Sequence, residues 1–525
     1  MKNMQRPFAI VSAFGLLLTA CAGPAPKPVA VPAGASAGEA QLEPCAVTVE
    51  ARQYRAECGI LVVPENRSRA DSRLIALPIT RIYASGSSPS EAIVFLDGGP
   101  GEKLNLRFKP PPALLAHHDV VLIGYRGTDG SSRLECPEIQ QAMLGVGGDL
   151  LSAASRANLS AARGRCAQRL QESGVDLGGY TLLESVADLE AARAGLGDER
   201  IDFLARGYGT LVAQGYADAH PERVFRSALI DPVVPGRNMV FEPGTIDALI
   251  RRYARLCAAD PVCRRRTPDL AATMRRVTRN LPDRWLIFPI DPGKVRVATF
   301  LLLKRTGNAA TVFDTYIAAE NGDPSGFVPL QLLYDLEVPI TWTDWGDFYA
   351  KSGTDFDPDR DYAAEMDLPG SILGSPFSLL VWGSPLNWPL APIPSGDWRA
   401  KLSDTQTLLV TSSVDPRAPA EYVTSELLPH LSRGQQVVVA EAGHELLEIQ
   451  PAAMQRLLTS FYDTGIGDDA LYTYLPVNLQ ASPSAPDLAK ALLGAGLLAI
   501  GLILGLVWLM IRLVRSRTRG RTRSP

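Results

Sequence analysis

Short apolar runs separated by helical patterns restrict this chain more than any other feature of its sequence. GILVVP (59–64), LIALPITRIYA (74–84), AIVFL (92–96) and DVVLIGY (119–125) come early; IDFL (201–204), SALID (227–231), TLLVTS (407–412) and VVVAE (437–441) follow. Helix-compatible stretches such as 185–196 and 209–219 lie between some of them. A strand without polar alternation is buried on both faces, and intervening helices supply the cover. The pattern therefore predicts an α/β fold, a mostly parallel sheet flanked by helices. Residues 236–395 break the rhythm and are rich in Pro, Trp and Arg. They read as a helical cap inserted between core segments 45–235 and 396–470, which a chain of 525 residues has room for.

Both ends read as addresses rather than core. Lys2 and Arg6 precede an apolar run from Phe8 to Leu18, the pattern of an export signal over residues 1–20. Leu18-Thr19-Ala20-Cys21 resembles a bacterial lipobox, which would make Cys21 the lipid-modified first residue of the mature chain. Ala, Pro and Gly dominate the stretch after it, so residues 21–44 are expected to be a tether. At the other end, a linker (471–490) leads to Ala491–Ile511, 21 residues without a charge and long enough to span a bilayer. Six arginines follow in the tail 512–525. By the positive-inside rule that tail is cytoplasmic and the body lies on the opposite, extracytoplasmic side of a bacterial cell membrane, crossed once. The chain carries −4 overall with basic ends, so the body between them is more acidic still. Such a body is a poor partner for nucleic acid. The arginine-dense region 251–284 is the local exception, and its spacings suit solvated helix faces.

Seven cysteines are consistent with an oxidising compartment. With Cys21 set aside, proximity in sequence favours the pairs Cys45–Cys58, Cys136–Cys166 and Cys257–Cys263. There is no C-x-x-C and no His/Cys cluster, so neither a metal nor another cofactor is expected.

Several motifs, taken in order, resemble the proline iminopeptidase and tripeptidyl aminopeptidase family of α/β-hydrolase serine peptidases. FLDGGPGE (95–102) is similar to that family's GGPG loop, and DVVLIGYRGTDGSSRLEC (119–136) to its RGxGxS segment. SVADLEAARAGLG (185–197) and GYGTLVAQGYADAHPERV (207–224) match the helix before the nucleophile strand, then the elbow and its helix. LCAADPVCRRRTPDL (256–270) resembles the start of the cap. TLLVTSSVDPRAPAE (407–421) and VVVAEAGHEL (437–446) match the acid and histidine segments. The resemblance extends from about Cys45 to about Tyr462.

That resemblance implies a triad in the chain order nucleophile, acid, histidine. Asp415 follows an apolar strand on a turn marked by Pro416 and Pro419, and His444 follows Gly443 beyond another strand. A carboxylate there would hold the imidazole in the working tautomer. The amides of Gly98, Gly99 and Tyr208 would form the oxyanion hole. The position of the nucleophile, however, is Gly207. Glycine offers no hydroxyl, and loss of a triad serine has cost about 10⁶ in kcat where it was measured. Gly124 stands where the family usually has aspartate, and Arg206 is a bulky cation beside the elbow, where substrate would approach. Ser131, Ser132, Ser371, Ser375 and Ser384 earn no assignment as a replacement. Two readings follow. One is a membrane-tethered, catalytically impaired relative that binds a peptide, an acyl group or a protein partner. The other is a working aminopeptidase or esterase that uses Asp415 and His444 with a water or a displaced serine.

Overall fold

The computed structural model describes residues 29–521 except 88, 339–342, 354–355 and 391–398. The expected export signal 1–20, Cys21 with the first part of the tether, and the end of the basic tail lie outside the described residues.

The apolar runs become strands. These are β1 (Ala40–Val49), β2 (Arg52–Pro64), β3 (Leu74–Ile82), β4 (Ser90–Leu96), β5 (His118–Ile123), β6 (Ile201–Arg206) and β7 (Val224–Ile230). A short hairpin of β8 (Arg284–Trp285) and β9 (Phe288–Pro289) stands apart in the cap, and β10 (Gln406–Ser412) and β11 (Gly434–Val439) complete the set. Nine of them form one sheet in the order β1-β2-β3-β5-β4-β6-β7-β10-β11. The pairs β1–β2, β2–β3 and β3–β5 are antiparallel, and every pair from β5 to β11 is parallel. The chain thus has an α/β-hydrolase fold. Strands β5 and β6 are buried along nearly their whole length because helices cover both faces. Each fully buried Leu, Val or Phe there contributes about 1.5–3 kcal/mol relative to exposure.

Register, more than any single contact, gathers the site. Leu96 pairs with Ala205, Arg206 with Ile230, Ile230 with Val410, and Ser412 with Val439. The strands therefore end in line, and the loops that follow β4, β6, β7, β10 and β11 meet at one carboxyl edge of the sheet, where ligands of open α/β sheets bind.

The helix Leu182–Leu196 begins where the Thr181 hydroxyl accepts the Glu184 N–H at 3.2 Å, and ends at Gly197 in the left-handed conformation. It packs against the helix Tyr208–Ala219, which carries the elbow. Residues 236–390 supply a second core of mainly helical elements, including Phe241, Phe300, Phe348, Phe377 and Trp382. Disulfides join Cys45–Cys58, Cys136–Cys166 and Cys257–Cys263, the pairs that proximity favours.

Two expected boundaries are corrected. The tether 21–44 is too long, because Ala40–Pro44 already pair with β2. The linker 471–490 is not a free segment: Leu479, Ala485 and Ala489 are buried against the body, and Lys490 bonds Asp323 at 2.6 Å. The final helix starts at Ala485 and runs to Arg521, enclosing the expected span 491–511. Its part Ala485–Leu513 is the one helix among the described residues that is long and apolar enough to cross a membrane.

Candidate active site

The turn after β6 is a sharp elbow. Gly207 has φ 54° and ψ −125°, and the helix begins at the next residue. That combination is forbidden to most side chains and open to glycine. Two residues on, Gly209 lets the helix press onto β4, since a Cβ there would stand 2.5 Å from the Leu96 backbone. At the apex, a Cβ on Gly207 would lie 3.6 Å from His444 Nε2 and 3.1 Å from the Gly98 carbonyl oxygen. The one direction in which the elbow could extend a side chain is toward the histidine.

His444 sits just past β11 in a loop pinned to the cap by its main-chain N–H, which donates to the Lys304 carbonyl at 2.7 Å. Its ring Nδ1 lies 2.6 Å from Asp415 Oδ2. The other oxygen of Asp415 accepts the Arg417 N–H at 2.8 Å. Burial pushes the Asp415 carboxyl up, but the adjoining imidazole and the Arg417 amide more than offset this and leave it below the usual range. Asp415 and His444, named from sequence, are therefore brought together.

Asp231 is a residue the sequence reading missed. It follows β7 with φ 46°, is fully buried, and places a carboxylate oxygen 3.8 Å from the same His444 nitrogen. Burial, reinforced by the charge of Asp415, pushes its carboxyl well above the usual range. The run SALID contains this aspartate, but only the adjacency of β7 and β10 gives it a role. Asp231, Asp415 and His444 offer donor atoms within 4.8 Å of one another. The Asp415 bond already commits Nδ1, which leaves that set short of free donors for a cation.

The expected oxyanion donors are not open. Tyr208 N–H donates to the Gly98 carbonyl at 2.7 Å, Gly98 N–H to Asp97 Oδ1 at 2.6 Å, and Gly99 N–H to Glu102 Oε2 at 2.7 Å. All three expected amides are satisfied within the protein. Gly101 N–H, from the same loop, donates to the buried Asp347 at 2.9 Å, which ties the loop to the cap helix Trp345–Ser352. Asp347 is paired with Lys351 at 2.8 Å, both side chains fully enclosed; burial outweighs that pairing and pushes the carboxyl up to about 6.

Arg206 also differs from expectation. It does not stand in the approach to the elbow as a loose cation. Its guanidinium makes a bidentate pair with Asp97 at 2.7 and 2.8 Å and reaches Glu448 at 2.7 Å, bracing the β4 loop against the segment after His444. Gly124 is structural, because a Cβ there would meet Pro78 and Asp129 side chains within 2.7 Å. Among the described residues no serine hydroxyl bonds His444. Ser131 and Ser132 are held by Ala76, Arg73 and Tyr180, and Ser384 by Arg163.

Between loop and cap lies a small pocket with Gly99, Glu102 and Arg417 on one side and Phe241, Phe300, Trp345, Phe348 and Phe377 on the other. Near the Arg417 that lines it, burial, aided by the Arg417 charge, pulls the Lys304 ammonium down to about 7. The cleft is aromatic-walled, with charge concentrated at the sheet edge.

The alpha/beta hydrolase fold family matches residues 91–286. A tripeptidyl aminopeptidase of Streptomyces lividans is 27% identical over 207 residues, 36% of this chain and 38% of its own length. Serine protease Hip1 of Mycobacterium tuberculosis (strain H37Rv) is 28% identical over 230 residues, 39% of this chain and 42% of its own length. The chain thus matches less than half the length of these curated relatives. A solved 2-hydroxy-6-oxo-6-phenylhexa-2,4-dienoate hydrolase from Rhodococcus sp. strain RHA1 is 15% identical with a TM-score of 0.35, covering 78% of this chain and 100% of its own.

Proposed function

We propose that this α/β-hydrolase-fold protein, a distant relative of tripeptidyl aminopeptidase and Hip1, is a membrane-anchored binding protein that has given up covalent catalysis. The observation that carries the reading is Gly207. The elbow keeps its backbone shape and aims its Cβ position at His444 Nε2, 3.6 Å away, yet the residue there has no nucleophile. Acyl transfer in this fold needs an attacking group at that point and vacant donors for the oxyanion. The first is absent from the elbow, and Gly98, Gly99 and Tyr208 have their amides bonded internally. What remains is an aromatic-walled pocket suited to a peptide, an acyl group or a segment of a partner protein. Lipidation at Cys21, a helix spanning 491–511 and an extracytoplasmic body complete the proposal.

One observation favours a second reading. Asp415 and His444 keep triad geometry at 2.6 Å, which would let the imidazole activate a water for hydrolysis. Assay of the purified full chain on amino-acyl and ester chromogenic substrates separates the two. The binding reading predicts no turnover above that of the His444→Ala variant. Turnover that disappears in that variant would establish the hydrolase.

A further inference from the structure

The arginine-dense part of the cap ends in a hairpin that the cleft does not use. β8 and β9 pair Trp285 with Phe288, so Leu286 and Ile287 form a two-residue turn with Leu286 at φ 53°. Such turns are usually built from Asn, Asp or Gly, which take positive φ at low cost. Here the tip is apolar and in the open: Leu286 is 60% exposed and Ile287 86%. Behind it the rings of Trp285 and Phe288 stack with centroids 5.8 Å apart. The result is a small apolar wedge with the exposed Arg284 at its base.

The position of the wedge identifies what covers it. β8 packs on the turn Pro324–Gly326, and that turn packs on the start of helix Ala485–Arg521. Contact there is close, since a Cβ on Gly326 would stand 3.0 Å from Pro486. Past Gly494 the helix has left the body, and residues 495–513 are exposed. The edge of the cap around Asp323 is therefore the edge nearest the bilayer that this helix crosses. Leu332 and Leu336, one turn apart on Phe327–Glu337, are also exposed, and their helix packs on the same final helix. Each headgroup region adds roughly 5–8 Å beyond the hydrocarbon core. Leu286 and Ile287 each lie one residue beyond the Trp285–Phe288 pair, so the turn carries the backbone about 3 Å past it.

We propose that the Trp285–Phe288 hairpin is an interfacial anchor. It inserts Leu286 and Ile287 into the extracytoplasmic leaflet, with Trp285 at headgroup level, and holds the cap against the membrane. This rests on the reading of Ala485–Leu513 as a span.

Two tryptophans separate the two claims, because Trp508 lies in the span and Trp285 in the hairpin. The full chain is reconstituted into nanodiscs of lipid brominated on the upper acyl carbons, which quench nearby indoles. The Trp508→Phe variant should lose emission in brominated relative to ordinary lipid, and that loss should vanish when Trp285→Phe is added. Ile287→Asp in the Trp508→Phe background should weaken the loss, while the Trp285→Phe variant alone still shows quenching of Trp508. Quenching of Trp508 without quenching of Trp285 overturns the anchor and leaves the span; a second copy covering the tip would give that result. Quenching of neither overturns both.

Discussion

On one side of the cleft, Asp415, His444 and the Arg417 amide form an unbroken hydrogen-bonded chain, with Nδ1 to Oδ2 at 2.6 Å. On the other side the elbow ends in Gly207, and the amides around it are bonded to their own loop. Both sides stand on the same sheet edge, brought there by the same strand register, so the fold does not explain the difference. Holding a histidine by a carboxylate requires two strand ends in line. Attack on a carbonyl requires in addition a side chain at the apex and vacant donors beside it. The first condition is met here by the packing around Asp415 and His444, while Gly207 and the internally bonded amides leave the elbow without either part of the second.

If the loop side is locked by its internal bonds, the lock should be costly to remove. Asp347→Ala deletes the carboxylate that receives Gly101 N–H and leaves Lys351 as a buried, unmatched cation. The expected loss is about 3–5 kcal/mol, read by chemical denaturation of the full chain in detergent. A loss below about 1 kcal/mol would show that the loop is held by something else.

The acid side makes a prediction with opposite signs for its two aspartates. Asp415 has its carboxyl lowered, so its stabilisation is present above the ordinary carboxylate range and fades as pH falls. Asp415→Asn should therefore destabilise at neutral pH by about 1.5–3 kcal/mol, with the deficit shrinking in acid. Asp231 has its carboxyl raised, so its contribution is favourable below that range and is lost as pH rises. Asp231→Asn should gain about 1 kcal/mol or more at neutral pH and nothing in acid. Unfolding midpoints of the two variants across pH test this directly; shifts of the same sign for both would break the comparison.

Much of this was legible in the sequence because it is local. The strands of the parallel core announce themselves as apolar runs, and the pairing of Asp415 with His444 is what the family resemblance of the two segments after β10 and β11 implies. The three disulfides close short loops or join neighbouring elements. What stayed hidden depends on neighbours distant in sequence. Asp231 gains its meaning from β10, Lys304 from a cap segment folded over His444, and Arg206 from Asp97 and Glu448. Whether an amide faces a cleft or its own loop is set by the local backbone torsions, which no residue type at Gly98 or Tyr208 encodes. The strand at Ala40–Val49 was masked by the Ala/Pro/Gly-rich stretch before it, and the packed segment 471–490 by its polar, Pro-containing composition.

The most direct test of the central claim is labelling with a fluorophosphonate, which reacts with an activated serine. The wild-type chain should not be labelled. Gly207→Ser should be labelled, and only partly, because φ 54° strains any side chain by about 1–3 kcal/mol and the Gly98 carbonyl, 3.1 Å from the new Cβ, must give way. Strong labelling of the wild type, mapped to a serine elsewhere and abolished by His444→Ala, would contradict the account.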